Sequence, residues 1–123
     1  NWEEVQQDGA AGVTFTDQNG TLKALSFAKS GQSAATLDDF SVSRLTALRD
    51  ARGGVELLEQ PDGILFRGLP AVFYRYQEGT TVYTVFSVEN SNSYVELTLA
   101  TPAGSEDAYP ALLHTAYTLD LAL

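Results

Sequence analysis

The chain has 123 residues, 44% of them hydrophobic and 19% charged, enough for one globular domain whose core needs no disulfide staple. Sixteen acidic residues against seven basic ones give a net charge of −9, which speaks against nucleic acid: the one basic cluster, Arg44, Arg49 and Arg52, is interrupted by Asp50. The chain has no Cys, so a thiolate metal site and a thiol nucleophile are excluded, and no apolar run approaches the ~20 residues of a membrane-spanning helix.

Residues 1–12 hold only Trp2 and Val5 as large apolar side chains and end in Gly-Ala-Ala-Gly, which predicts a lead-in that packs Trp2 and then loops. Segments 13–17 and 21–28 flank Gln18-Asn19-Gly20, a hairpin signal. A two-residue Asn-Gly loop would place Phe15 and Leu25 on opposite faces. A three-residue loop, with Gly20 in a left-handed bulge, gathers Val13, Phe15, Leu25 and Phe27 on one face and is the expected register. Residues 29–35 read as a Gly/Ser loop. Thr36-Leu37-Asp38-Asp39 reads as a helix N-cap with acids in the first turn. Leu37, Phe40, Leu48 and Ala51 form the expected apolar stripe, with Leu45 at its flank, and Gly53-Gly54 ends the helix.

From residue 55 to 101 the chain reads as strands near 55–59, 64–67, 71–77, 81–89 and 94–101. They are separated by Pro61-Asp62-Gly63, Gly68 to Pro70, Glu78-Gly79-Thr80 and Asn90-Ser91-Asn92-Ser93. Pairing Gln77 with Val82 sets Phe73 opposite Phe86. Pairing Glu89 with Tyr94 sets Phe86 opposite Leu97 and Val88 opposite Val95. Both registers bury one face of Ala71, Phe73, Phe86, Val88, Val95, Leu97 and Leu99. The opposite face then carries Val72, Tyr74, Tyr76, Tyr83, Val85, Tyr94, Glu96 and Thr98.

A last helix is expected over roughly 106–122, beginning near Asp107 because Pro110 is tolerated only in a first turn. Its stripe is Tyr109, Leu112, Leu113, Ala116 and Leu119. The order is β-β-α-β-β-β-β-β-α. Successive hairpins make the sheet mainly antiparallel, and two amphipathic helices need its faces, so the fold class is α+β. With no repeat, linker or low-complexity tract, residues 1–123 form a single domain.

This order resembles the PsbP/DcrB-type superfamily, which includes PsbP itself, bacterial DcrB-like lipoproteins and a eukaryotic Ran-binding import factor. Trp2-Glu3-Glu4-Val5 followed by Gly12-Val13-Thr14-Phe15 is similar to the family's opening. A helix like Leu37–Ala51, long antiparallel strands and a closing helix like 110–121 follow. The family's first strand would precede Trp2. The resemblance implies a PsbP-like sandwich and a binding or assembly module rather than an enzyme. It also implies the mature part of a bacterial secreted protein or lipoprotein. It carries over no functional residue and implies no cofactor.

The chemistry-bearing residues have plain structural readings. His114, the only histidine, lies off the apolar stripe of its helix, and a triad or zinc site needs His in company. Asp17-Gln18-Asn19-Gly20 begins like a calcium loop but lacks the full ligand spacing, and a turn with an Asp17–Lys23 contact explains it. Asp38-Asp39 and Glu106-Asp107 suit helix N-termini. Glu56, Glu59, Glu89 and Glu96 read as the polar phase of strands. The glycines form no phosphate-cradling pattern.

The tyrosine face is the remaining candidate for binding: Tyr74, Tyr76, Tyr83 and Tyr94, with Arg67 or Arg75 near its edge. Either a helix covers this face or it is open to a partner. The expected partner is a protein or cell-envelope component; the alternative is a small ligand in a pocket between sheet and helix, and an enzyme comes third. The chain has no Met even at its start, so a signal peptide, tag or upstream region is expected before Asn1. A chain without Cys or Met suits an extracytoplasmic setting, where both oxidise.

Overall fold

The structure is a computed structural model that describes residues 2–7, 10–18, 20–31, 36–104, 110 and 113–116. The described residues form a seven-stranded antiparallel sheet: β1 (Trp2–Gln7), β2 (Ala10–Asp17), β3 (Gly20–Ala28), β4 (Val55–Phe66), β5 (Leu69–Glu78), β6 (Thr81–Glu89) and β7 (Ser93–Pro102). The spatial order is β1-β2-β3-β7-β6-β5-β4. Helix α1 (Leu37–Ala51) carries the chain from β3, in the middle of the sheet, to β4 at its edge. The meander β4–β7 then returns to pair with β3. A helix making that crossing has to lie across a sheet face, and this fixes which face it buries.

α1 starts where the sequence places its cap. The Thr36 side-chain oxygen accepts the Asp39 backbone N–H at 3.1 Å, and Asp38 and Asp39 occupy the first turn. Leu37, Phe40, Ser41 and Leu45 are buried, Leu48 is half-buried and Ala51 is exposed. Leu45 therefore belongs in the stripe and Ala51 does not: the last turn runs beyond the sheet. The helix closes with the Arg52 N–H on the Leu48 carbonyl, and neither Gly53 nor Gly54 adopts a left-handed conformation.

Phe40, Leu37, Leu45 and Leu48 cover Phe27, Val72, Tyr74, Tyr76, Val85 and Tyr94. The opposite face packs Leu22, Ala24, Phe66, Phe86, Val88, Val95, Leu97 and Leu99 against Ala116, with Leu113 alongside. Pro110 and residues 113–116 are helical. The sheet is thus sandwiched between two helices, and its central strands are apolar on both faces. His114 is exposed. Tyr109, Leu112 and Leu119, and both expected ends of this helix, lie outside the described residues, as does the Trp2 side chain.

The β5–β6–β7 registers are those expected: Gln77 faces Val82, Phe73 faces Phe86, Phe86 faces Leu97 and Val88 faces Val95. Three other expectations are corrected. First, the lead-in is strand β1, pairing Trp2 with Phe15 through Gln7 with Ala10. Second, Asp17 pairs with Gly20 across a two-residue connection, not with Thr21 across three. Val13 and Phe15 then share a face with Leu22 and Ala24, while Leu25 and Phe27 point to α1. Each set is covered by its own helix, so one face does not have to collect every apolar residue.

Third, residues 55–66 form one strand. The punctuation at Pro61-Asp62-Gly63 is an irregularity inside it, with register shifts between Leu57 and Glu59 and between Glu59 and Asp62. β4 is an edge strand, where a proline without an N–H is accommodated at a bulge. Three strands therefore precede α1 and four follow it, where two and five were expected.

The β4–β5 turn consists of Arg67 and Gly68, both at positive φ (54° and 80°), between the paired Phe66 and Leu69. That is the two-residue hairpin geometry that favours Asn-Gly. Arg67 is the non-glycine residue at positive φ among those described. Arg67→Asn is expected to stabilise the fold by about 0.5–1 kcal/mol, because Asn tolerates the left-handed region better. A raised urea midpoint with an unchanged slope checks it.

Candidate functional site

α1 does not cover its whole face of the sheet. Along its flank runs a partly open cleft of about 350 Å³. Arg44 and Leu48 of α1, with Arg52 just after it, form one wall, and Thr21 and Lys23 of β3 form the other. The floor is built by β5, β6 and β7, from Tyr74, Tyr76, Tyr83, Val85, Glu96, Thr98 and Ala100.

The strand registers explain the floor. Tyr76 sits directly opposite Tyr83 on the neighbouring strand, and Tyr74 opposite Val85. The Tyr76 and Tyr83 rings stack with centroids 4.8 Å apart and an interplanar angle of 14°. The Tyr74 ring follows at 6.3 Å from Tyr76. Tyr74 is 2% exposed, Tyr76 is buried and Tyr83 is half-buried. The cleft therefore touches the edges of a packed aromatic row and does not expose a loose patch. Tyr94 belongs elsewhere: it stacks on Phe40 at 4.6 Å under the other half of α1, with the Lys29 ammonium 5.4 Å above its ring.

The sequence offered two arginines for the edge of the tyrosine face, and neither lies there. Arg67 is in the β4–β5 turn. Arg75 points to the opposite face, where its Nε donates to Thr84 Oγ1 at 3.1 Å and its guanidinium lies 5.6 Å from the Phe73 ring.

The cleft's principal ion pair joins α1 to β7. Arg44 Nε donates to Glu96 Oε2 at 2.8 Å and Arg44 Nη2 to Glu96 Oε1 at 3.0 Å, a two-pronged contact. The Arg44 guanidinium also lies 4.7 Å over the Phe27 ring. Glu96 is therefore not the solvated polar phase of its strand: its side chain is 8% exposed and that of Arg44 22%. Two signals in the sequence mark the pair. Arg44 lies one helical turn after Phe40 and one before Leu48, and Glu96 lies between Tyr94 and Thr98 on the buried phase of β7. At the outer end of the wall Arg52 Nη1 donates to Glu78 Oε1 at 2.5 Å. That hydrogen bond, with Glu78's charge, holds Arg52 above its ordinary pKa.

Burial keeps the Tyr74 and Tyr76 phenols neutral well above their ordinary range. Next in size comes the negative field of Glu96 at Tyr74 and the neighbouring Tyr83 at Tyr76. An unfolded tyrosine loses its proton near pH ~10. Above that pH the unfolded chain releases protons that the folded chain retains, so the equilibrium moves toward unfolding. This contribution to stability is complete below pH ~10 and disappears as pH rises further. Tyrosinate absorbance in a fast upward pH jump should therefore show a delayed phase that follows unfolding. Tyr74→Phe with Tyr76→Phe should remove most of that phase; if it persists, the two phenols ionise in the folded state.

Among the described residues no group of three or more His, Cys, Asp or Glu side chains is placed to hold a metal ion. No helix of the described residues is long and apolar enough to cross a membrane. Asp17 pairs with Gly20 at the end of the β2–β3 hairpin, and the expected Asp17–Lys23 contact falls on a side chain outside the described residues.

Neither a scan against protein-family models nor a search of curated proteins found a match. Solved structures are similar to this chain, two of them as follows. PA94 of Pseudomonas aeruginosa, a protein of unknown function described as a candidate regulator, has a TM-score of 0.68 and 17% identity, over 99% of this chain and 98% of its own. CyanoP, the cyanobacterial PsbP of Synechocystis, has a TM-score of 0.59 and 18% identity, over 93% of this chain and 77% of its own. At these identities the likeness establishes the architecture, and the chain has a PsbP-like α+β fold.

Proposed function

We infer that the chain is a non-enzymatic binding module and that the cleft beside α1 is where it takes up a small ligand. The observation that carries this reading is the cleft itself: about 350 Å³ between sheet and helix, its floor a stacked tyrosine pair, its wall an oriented Arg44–Glu96 pair. A concave recess in which packed aromatic side chains meet a few fixed polar groups is a usual form of small-molecule site. Tyr74, Tyr76 and Tyr83 are its binding residues, and Tyr94 supports α1 from beneath. The test is a small-fragment screen by amide chemical-shift mapping on the full chain. Hits that cluster on Tyr83, Thr98 and Leu48 support the reading. Hits scattered over the surface, or none, overturn it.

A second reading is an assembly module whose partner is a protein or cell-envelope component. It is favoured by large apolar side chains that stand exposed on α1 and the edge strand β4: Val42, Leu58 and Leu65, the last at 72%. Val42 and the irregular stretch of β4 at 61–63 line one shallow recess. Leu65→Asp should then abolish co-purification of the native partner while leaving the fragment-binding cleft intact. An extracytoplasmic location accompanies both readings, supported by a composition free of Cys and Met. Recovery of the native gene product from the cytoplasmic fraction alone would refute it.

A further inference from the structure

We propose that the 63–66 stretch of β4 takes up an extended basic segment of a partner protein as an added strand, with lysine or arginine alternating with aliphatic residues; the inference rests on the assembly reading. β4 ends the sheet, and among the described residues no strand pairs with its outer side. Proteins protect such an edge with charge, proline or a bulge. β4 does so only as far as Asp62: Glu56, Glu59, Pro61, Asp62 and both register shifts all precede Gly63. From 62 to 66 the pairing with β5 is regular, and Gly63-Ile64-Leu65-Phe66 has neither charge nor proline. Ile64 and Phe66 pack into the core on the side away from α1. Gly63 faces Val72 and so falls on the α1 side, as does Leu65, which is 72% exposed.

The surroundings of this stretch set the chemistry of the partner. Two shallow recesses lie between it and α1, and their charged lining is Asp38, Asp62 and Glu89, with no basic residue in either. Lys29 pairs with Glu89 at 2.7 Å. Asp38 and Asp62 are exposed, and no ion pair among the described residues engages either. Arg67, in the turn beyond the strand, lines neither recess. Val42 is 53% exposed beside Gly63, where a Cβ would meet nothing within 4 Å. Side chains of an added strand alternate between the two faces. One set would lie against Val42 and Leu65 on the α1 side, which suits aliphatic residues. The other would reach toward Asp62, which faces Phe73 on the opposite side, and this suits cations. Asp38 adds to the attraction that brings a basic segment in. The backbone of the segment supplies the hydrogen bonds the edge lacks. A second copy of this chain is the wrong occupant. β4 carries Glu56, Glu59 and Asp62 and no basic residue, so self-pairing sets carboxylates against carboxylates between molecules of charge −9.

The test titrates three hexapeptides into the full chain with amide chemical shifts as readout: KVKVKV, EVEVEV and the block sequence KKKVVV, which has the charge of the first without its alternation. KVKVKV should move the amides of residues 62–66 and Val42, slow hydrogen exchange within 63–66, and bind at least about tenfold more tightly than either of the others. Asp62→Lys should remove most of the preference over EVEVEV, and an unchanged urea midpoint would show that the fold is intact. Equal affinity for KVKVKV and EVEVEV at 62–66, or tighter binding of EVEVEV, overturns the basic assignment and leaves β4 as a docking strand. Equal affinity for KVKVKV and KKKVVV, or shifts spread over the acidic surface, reduces the binding to general charge attraction and overturns the added strand. If no peptide shifts the 62–66 amides, the inference falls, and the native partner then decides the assembly reading: loss of its co-purification on Leu65→Asp keeps that reading, and retention removes it as well.

Discussion

Replacing Gly12 with alanine is expected to cost more than about 4 kcal/mol, placing it among the rare severe substitutions. Gly12 lies in β2 opposite Leu25 of β3. A Cβ at this position would stand 1.7 Å from the Ala24 carbonyl oxygen and 2.8 Å from its carbon. Those atoms are backbone, so no rotamer change relieves the overlap. β3 cannot retreat, because β7 holds it on the far side and its Leu22, Ala24 and Leu25 are fully buried. β2 would have to leave instead, taking β1 with it and uncovering both cores where they meet β3. Gly63→Ala is the control: Gly63 has an ordinary φ and open space around its Cβ position. Urea unfolding of both variants, with amide exchange on β1 and β2, decides the matter. A loss below about 1 kcal/mol for Gly12→Ala would mean that the two strands part without consequence.

The same stretch shows where the sequence was legible and where it was not. The β5–β6–β7 registers could be read because each strand alternates aromatic or branched residues between short, well-marked turns, and two independent hairpins agreed on one face. The α1 start could be read because Thr36 and the acids after it satisfy free backbone N–H groups. β1 was hidden because Glu3, Glu4, Gln6 and Gln7 give an edge strand almost no apolar phase. The β2–β3 register was misread by the rule that apolar residues share one face, which holds for a sheet covered on one side. Here helices cover both sides, so Phe15 and Leu25 face different cores. The turn expected at 61–63 failed because a bulged edge strand and a turn use the same residues.

The candidate site divides in a similar way. Strand alternation was sufficient to place Tyr74, Tyr76, Tyr83 and Glu96 on one face. It could not show that α1 buries Tyr74, Tyr76 and Tyr94 and leaves Tyr83 half-buried at the edge of a cleft, because that depends on where a helix crosses a sheet. The cleft wall was hidden by the assumption that charge means solvent. Arg44 appeared as part of an interrupted basic cluster and Glu96 as the polar phase of a strand, although each occupies a position whose neighbours are buried.

That pair supplies the second large effect. Arg44→Met is expected to destabilise the fold by about 3 kcal/mol, near the lower end for breaking a buried ion pair because the guanidinium keeps some contact with water. The methionine preserves most of the packing over Phe27, so the loss reports on Glu96. Its carboxylate would remain beneath α1 without the two hydrogen bonds that balance its removal from water. Glu96→Leu alone should cost less, since it leaves a longer, more exposed cation that can turn outward. The double variant Arg44→Met with Glu96→Leu should return to within about 1 kcal/mol of the parent, because two apolar side chains of similar volume replace a pair whose attraction and desolvation nearly cancel. Urea midpoints for the four proteins close this cycle. If the double variant is as unstable as the sum of the singles, the two side chains are not coupled and each contributes to stability on its own. If it recovers, the ion pair is not required for the stability of the fold. The recovered variant then becomes a sharp probe of the cleft, a folded chain that keeps its tyrosine row and has lost its oriented charge pair.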